Sequence, residues 1–325
     1  MGETENIAKM AEKLSKDLFK KLLWGDICGP INQNWPCVKD HHDRKTHPTD
    51  VVFEYAEPYD DMTTIVICDL KSYAKASISA TSMRTAIENL SKTIECAEVS
   101  EGCHSLYKPR DEKVQFVGLL FVYNHDGVYD SDFRKFLPEH KDENFQFPSW
   151  SKIFVLGPKE ICYLNTVCVD IWGLIGDGVI KSMDHYSFYY PDLEGLPATQ
   201  RSGPLAANLE LIFGPWLILN HKTKEDGTGI IVYYKGTGED RDDFFYLFDY
   251  LLHYQQFKGD SIIEFRMANA ANSANANFES AKKEYIKRQP PSCEFAKKIN
   301  EIRFSPVTNI VTNFSEAIIG MSDER

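Results

Sequence analysis

TDVVFEYAEPYDDMTTIVICDLKSY, at residues 49–73, predicts two neighbouring β-strands. In the first part, TDVVFEYA at 49–56, apolar and polar residues alternate with the period of two that is typical of a half-buried strand. The turn-forming residues EPYDDM follow, and TTIVICDLKSY at 63–73 has the apolar content of a second strand. We therefore predict a hairpin or meander at this point of the chain.

Helices and a further strand are predicted around this pair. Residues 4–24 carry apolar side chains at three- and four-residue steps, and residues 81–98 repeat the pattern after a candidate N-cap at Thr81 or Ser82. VQFVGLLFVYN at 114–124 is almost entirely apolar, as expected at the centre of a sheet that is covered on both faces. The predicted fold class is α/β, with a mixed central sheet flanked by helices.

The second half of the chain is predicted to be α+β. Two apolar runs between residues 152 and 175 suggest strands, and PWLILN and GIIVYYK suggest a hairpin. An aromatic-rich helix is predicted at 239–257, and a strand at 261–268. No clear linker separates the halves, so the predicted domains, residues 1–150 and 151–325, meet at an approximate boundary.

The composition is typical of a folded cytoplasmic protein. Of the 325 residues, 43% are hydrophobic and 26% are charged, which excludes a mainly disordered or collagen-like chain. No run approaches the roughly 18 apolar residues of a membrane-spanning helix, and the N-terminus lacks the apolar core of a signal peptide. The eight cysteines form no C-x-x-C pair, which favours reduced thiols over a disulfide framework.

Three charged residues interrupt the two apolar strands. Asp50 opens the first strand, and Asp69 and Lys71 lie two apart on the second, so that their side chains leave the same face. Carboxylates on neighbouring strands offer the oxygen ligands that Mg²⁺ prefers. A lysine beside them can orient or deprotonate a water molecule, or stabilise charge at a reacting phosphate. The alternative is structural: Asp50 caps a turn, and Asp69 and Lys71 form an ion pair at a strand end.

Asp50, the Asp69-x-Lys71 signature and the order of the surrounding elements resemble the PD-(D/E)XK nuclease superfamily, which has the restriction-endonuclease-like fold. The resemblance covers about residues 4–137. It implies that residues 1–150 form a nuclease-like core, and that 151–325 serve substrate, dimer or partner binding. The implied activity is that of an endonuclease that uses Mg²⁺ or Mn²⁺ to hydrolyse phosphodiester bonds in nucleic acid, with DNA as the expected substrate.

The resemblance also implies a role for each site residue. The carboxylates of Asp50 and Asp69 and the carbonyl of Leu70 would hold the metal ion, and Lys71 would position the attacking water. Members of the superfamily often add a glutamate from the first helix. Glu12 is the candidate for that position here, with Asp17 as the other acidic residue on the same helix.

The wider biology follows from the resemblance and from the charge. The implied setting is bacterial anti-phage defence, beside a partner ATPase or helicase and within a homo-oligomer or hetero-complex. The net charge of −12 disfavours passive binding to nucleic acid, and it suits a nuclease to which a partner presents the substrate. The alternative is a non-catalytic nuclease-fold sensor or protein-interaction module, which the acidity and the aromatic C-terminal half favour.

Two other features allow alternative interpretations. The segment before the first strand contains possible zinc ligands in Cys37-x₃-His41 and His47, with His42 and Asp43 between them. The paired thiolate spacing of structural zinc sites is missing, which favours a polar loop that leads to the active site. In the aromatic helix, a second stripe either meets another chain or packs under another C-terminal element. That stripe consists of Tyr246, Tyr250, Tyr254 and Phe257.

Overall fold

The computed structural model describes residues 2–108, 113–137, 152–193, 203–254, 261–288 and 293–310. They fall into two compact units, of which the first contains residues 1–57 and 61–164 and the second residues 58–60 and 165–310. The functional division into 1–150 and 151–325 stays a prediction. Within the described ranges, no helix combines the length and the apolar character needed to span a bilayer.

The first unit is an α/β layer with a mixed sheet. Its elements are α1 (Gly2–Lys21), β1 (Gln33–Pro36), β2 (Thr46–Thr49), β3 (Val51–Ala56), β4 (Thr63–Tyr73), α2 (Ala80–Ala97), α3 (Glu101–Tyr107), β5 (Val114–Asn124), β6 (Ile153–Leu156) and the start of α4 (Pro158–Gly176). β1 and β2 form a small antiparallel sheet, and the central sheet has the order β3, β4, β5, β6. β3 is antiparallel to β4, whereas β4, β5 and β6 are parallel. The predicted mixed central sheet flanked by helices is confirmed.

Helices cover both faces of this sheet. Ile67 of β4 lies in one buried cluster with Leu90 of α2, so α2 covers the face from which the odd-numbered residues of β4 project. On the other face, the ring of Phe19 from α1 packs 5.1 Å from Phe53 and 6.2 Å from Phe121. Burial of each such large apolar side chain contributes about 1.5–3 kcal/mol. β4 is therefore enclosed between two layers of helix.

Two local predictions were wrong in detail. α2 begins after Ser79, and neither Thr81 nor Ser82 is its N-cap. Ser79 Oγ accepts a hydrogen bond from the Ser82 amide at 3.2 Å, while Ser82 Oγ accepts one from the Ser79 amide at 3.0 Å. This reciprocal capping box satisfies two amides that would otherwise lack partners at the helix start. The predicted strand 49–56 is also interrupted, because Asp50 lies at a break between β2 and β3.

The predicted strands between residues 152 and 175 are largely a helix. Only β6 is a strand here, and α4 begins at Pro158, where the missing proline N–H is not needed. The buried side chains of α4 recur at three- and four-residue steps, as in a helix with a broad buried face. They include Ile161, Leu164, Val167, Cys168, Ile171 and Leu174.

The second unit is α+β, as predicted. Its further elements are β7 (Tyr186–Phe188), α5 (Leu209–Phe213), β8 (Trp216–Lys222), β9 (Thr228–Tyr234), α6 (Asp242–His253), β10 (Ile262–Met267), α7 (Ala274–Arg288), α8 (Cys293–Glu301) and β11 (Arg303–Pro306). The sheet order is β11, β10, β9, β8, β7. β8 and β9 form the predicted hairpin, while β9, β10 and β11 run parallel.

The aromatic helix α6 divides between core and surface. Its Phe244 and Phe248 are fully buried in the core of the second unit. Tyr250 packs against that core, with its ring centroid 5.2 Å from that of Trp216, whereas Tyr246 is 63% exposed. The predicted aromatic stripe is thus partly core, and its last member, at position 257, lies outside the described residues.

A bidentate ion pair anchors α4 in the second unit. Arg266 of β10 donates from Nε to Asp170 Oδ2 at 2.7 Å and from Nη2 to Asp170 Oδ1 at 2.6 Å. Tyr233 Oη of β9 donates to the same carboxylate at 2.6 Å. Both charged side chains are only 13% exposed, so Asp170 depends on Arg266 for its compensation, while Arg266 also pairs with Glu264 on the same strand.

Candidate active site

The antiparallel register of β3 and β4 brings Asp50 and Asp69 together. Val51, the first residue of β3, lies opposite Cys68, which brings Asp50, one residue earlier, close to Asp69, one residue later, and the two carboxyls interact. Residues directly opposite each other in an antiparallel pair project from the same face. Lys71 shares this face, and its Nζ donates to Asp69 Oδ1 at 2.6 Å. The structure therefore brings the three predicted site residues into one group.

Asp50 is held in place by the backbone of β4. The amide of Leu70 donates to Asp50 Oδ2 at 2.8 Å. Burial and, after it, the negative charge of Asp69 raise the pKa of Asp50 to about 6. The Leu70 hydrogen bond and the positive charge of Lys71 lower it without cancelling the increase. The two carboxylates are close enough to repel each other, which is the condition that a bound cation relieves.

Lys71 is a positive charge in this group. Burial lowers the pKa of Lys71, but the charge and hydrogen bond of Asp69 and the charge of Asp50 outweigh that effect, so the pKa is raised. The side chain is therefore an ammonium at neutral pH, able to donate hydrogen bonds but not to accept a proton. It is 30% exposed, which leaves it within reach of a substrate.

The donors fit a hard divalent cation. Two carboxylates supply the oxygen ligands that Mg²⁺ and Mn²⁺ prefer, and a positive ion would compensate the burial and the repulsion that raise the pKa of Asp50. Leu70, the predicted third ligand through its carbonyl, lies in β4 directly between Asp69 and Lys71. Its carbonyl as a ligand stays a prediction.

Glu12 is not joined to this group by the described contacts. α1 covers the sheet face opposite to the one from which Asp69 projects, and the carboxylate of Glu12 lies 2.8 Å from Lys16 Nζ on the same helix. Asp17 is exposed on that helix. Roles for Glu12 and Asp17 in the site stay predictions.

The polar segment between β1 and β2, together with the start of β2, contributes a second, separate group of side chains. His47 and His42 are buried, whereas the side chain of His41 is 65% exposed. The structure therefore places His42, rather than the expected His41, beside Cys37 and His47.

Part of the chain matches a known protein family. Residues 1–160 match the family described as GAPS4 protein PD-(D/E)XK nuclease domain. No curated protein and no solved structure matches the chain. The matched segment runs from α1 through β6, and it contains Asp50, Asp69 and Lys71.

Proposed function

Because residues 1–160 belong to the PD-(D/E)XK nuclease superfamily, we propose that this protein is a metal-dependent endonuclease that hydrolyses phosphodiester bonds in DNA. One observation carries the proposal: the carboxyls of Asp50, directly before β3, and Asp69, in β4, interact with each other, and the ammonium of Lys71 lies beside them. The choice of DNA and of endonucleolytic cleavage extends the family assignment and rests on the sequence-based prediction.

Each residue of the site has its own proposed role. Asp50 and Asp69, with the Leu70 carbonyl, would hold Mg²⁺ or Mn²⁺. When bound, such an ion supplies positive charge at the phosphate under attack and favours ionisation of a bound water. The Leu70 amide fixes the orientation of Asp50 through its hydrogen bond. Lys71, kept protonated by Asp69, donates a hydrogen bond that orients the water or stabilises charge on a phosphate oxygen.

The proposed biological role is anti-phage defence, which the match to the GAPS4 family supports. A partner ATPase or helicase stays a prediction, as do a homo-oligomer or hetero-complex and a cytoplasmic location. The net charge of −12 supports the idea that DNA is delivered to the site rather than collected by a broad basic surface.

Cleavage by the purified full-length protein tests this function. The protein is incubated with Mg²⁺, Mn²⁺ or EDTA and with plasmid, linear duplex, single-stranded DNA or tRNA. Lys71→Ala should reduce cleavage by at least about 10²-fold, because it removes a charge at the site of reaction. Lys181→Ala is a matched control, since Lys181 also pairs with an aspartate, Asp226 at 2.5 Å, but on the surface of the second unit.

Two outcomes would contradict the proposal. Full cleavage by clean Lys71→Ala protein would mean that the chemistry occurs elsewhere. No metal-dependent cleavage of any of these nucleic acids by the wild type would favour the alternative of a non-catalytic nuclease-fold module.

A further inference from the structure

Four donor atoms converge where the small β1–β2 sheet meets the last turn of α2. Cys37 follows β1, His42 ends a short turn of 3₁₀ helix, His47 lies in β2, and Cys96 lies in α2. Their sulfur and ring nitrogen atoms all lie within 4.8 Å of one another. Cys37 and Cys96 are far apart in sequence, so the convergence is a product of the fold.

Three of the six separations among these atoms are close to the edges of a zinc tetrahedron, and the other three are no longer than 4.8 Å. With the usual Zn–S and Zn–N bond lengths, tetrahedral geometry separates two sulfurs by about 3.8 Å, two nitrogens by about 3.3 Å and a sulfur from a nitrogen by about 3.6 Å. The two Sγ atoms are 3.9 Å apart. His42 Nδ1 is 3.4 Å from His47 Nε2 and 3.4 Å from Cys37 Sγ.

Hydrogen bonding alone does not account for this arrangement. A ring nitrogen of a neutral histidine carries either one hydrogen or one lone pair, so His42 Nδ1 can satisfy only one of its two close neighbours. A metal ion at the centre would accept a lone pair from all four atoms at once.

The outer nitrogen of each histidine also has a partner. His42 Nε2 lies 3.2 Å from Glu95 Oε2, and His47 Nδ1 lies 3.2 Å from Thr93 Oγ1. Partners of this kind fix the tautomer and the ring orientation of metal-binding histidines. Here they turn both inner nitrogens toward the two cysteines.

Burial and charge are consistent with a closed metal site. His42 is 2% exposed, and His47 and Cys96 are completely buried. The amide of Val38 donates to Cys96 Sγ at 3.2 Å, a contact that stabilises a thiolate. Zn²⁺ with two thiolates and two neutral imidazoles has no net charge, which limits the cost of burying the ion.

We propose that Cys37, His42, His47 and Cys96 bind one structural Zn²⁺ ion. Four protein ligands leave no open position, which is the arrangement of structural rather than catalytic zinc. On binding, both thiols release their protons to solvent, two Zn–S and two Zn–N bonds form, and no atom changes its oxidation state.

The ion would join the β1–β2 sheet to α2. His47 lies three residues before Asp50, so the same ion would fix the strand from which Asp50 emerges. The site goes beyond the proposed nuclease activity and does not depend on it.

Metal analysis of the full-length protein tests the proposal. Protein purified without chelators or a metal-affinity tag should contain about one zinc ion per chain by plasma mass spectrometry. Cys96→Ser and His47→Gln should lose that zinc. The matched controls His41→Gln and Cys103→Ser should keep it, because His41 is an exposed neighbour and Cys103, although buried in the same core as Cys96, is not one of the four converging ligands.

Two further measurements do not require ligand variants to fold. Wild-type protein loaded with Co²⁺ should show a thiolate-to-cobalt charge-transfer band, and Cys37 and Cys96 should resist alkylation until a chelator is added. Glu95→Gln keeps all four ligands, and it should weaken zinc affinity by about 10–100-fold through the loss of the carboxylate behind His42.

Three results would overturn the proposal. In the first, the wild-type protein lacks zinc and takes up neither Zn²⁺ nor Co²⁺. In the second, the control variants lose as much zinc as Cys96→Ser. In the third, the native protein contains a Cys37–Cys96 disulfide. None of these readouts uses nucleic-acid cleavage, so failure here is distinct from failure of the proposed nuclease activity.

Discussion

Replacing Asp50 by asparagine should stabilise the metal-free first unit while abolishing cleavage. The pKa of this carboxyl is 3.8 in its ordinary setting and about 6 in the fold, chiefly because of burial and then because of the charge of Asp69. Below pH 3.8 the carboxyl of Asp50 is protonated in both the folded and the unfolded chain, so it does not lower the free energy of unfolding. Between pH 3.8 and 6 the folded state holds the proton more tightly, so stability falls as the pH rises, and above pH 6 the full cost is present.

The size of the effect follows from the same two pKa values. The difference between 3.8 and about 6 corresponds to about 3 kcal/mol of unfolding free energy. Asparagine keeps an oxygen that can accept the hydrogen bond from the Leu70 amide, and the pKa of about 6 already includes the extra strength of that bond to the charged carboxylate. Asp50→Asn should therefore gain about 3 kcal/mol at pH 8. The gain should vanish near pH 3.5, where the wild-type carboxyl is protonated in both states.

The assay is urea unfolding in EDTA at the two pH values. Hydrogen–deuterium exchange of peptides from β3 and β4 reports on the first unit alone. Asp130→Asn is the matched control, because Asp130 is an exposed aspartate that pairs with Lys75 at 2.7 Å, and it should change stability little. Added Mg²⁺ should stabilise the wild type but not Asp50→Asn, since only the wild type keeps both carboxylates.

Either of two results would refute this reasoning. A loss of stability in Asp50→Asn at pH 8 would mean that the carboxylate is compensated in the fold. An equal gain at both pH values would mean that the effect does not come from ionisation of Asp50.

The remaining predictions concern other parts of the molecule. Burial raises the pKa of the Cys68 thiol well above its usual value, so an alkylating reagent at pH 8 should modify Cys68 in urea but not in native protein, as measured by peptide mass spectrometry. Arg266→Met should destabilise the second unit by about 3 kcal/mol or more, because Asp170 loses its charged partner. Urea unfolding with exchange measured in β10 checks this, and Asp170→Leu in the same chain should restore part of the loss. Tyr246→Glu should shift a homo-oligomer to a smaller mass in light scattering, and a monomeric wild type would show that the predicted oligomer is wrong.

The sequence was most informative where a local repeat determines geometry. Side chains alternate along a strand, so the spacing of Asp69 and Lys71 alone placed them on one face of β4. The apolar residues around Asp69 and Lys71 indicated that both charged side chains lie in a largely buried strand, which is unusual without a function. The approach of Asp50 to Asp69 required only that the two strands pair as a hairpin.

The errors arose where tertiary contacts outweigh local pattern. The apolar segment that became α4 has the composition of a buried strand, and only its three- and four-residue spacing distinguishes it. Cys96 could not be linked to Cys37 from the sequence, because nothing local relates residues that are 59 positions apart. His41 and His42 are adjacent, and only the turn at Asp40–His42 determines which of them faces inward.

The position of β4 in the middle of the sheet affects how the chain is made. β4 pairs on one side with β3, directly before it, and on the other with β5, which begins only at Val114. The 40 residues from 74 to 113 separate the two parallel strands. At about 5–20 residues per second, a ribosome needs about 2–8 s to add them.

During this interval the strand that carries Asp69 and Lys71 has one unpaired edge. Its run TIVIC is apolar and β-branched, which is the kind of edge onto which a strand of another chain can add. The speed of synthesis across residues 74–113, rather than the stability of the finished sheet, therefore sets how long this strand stays open to aggregation.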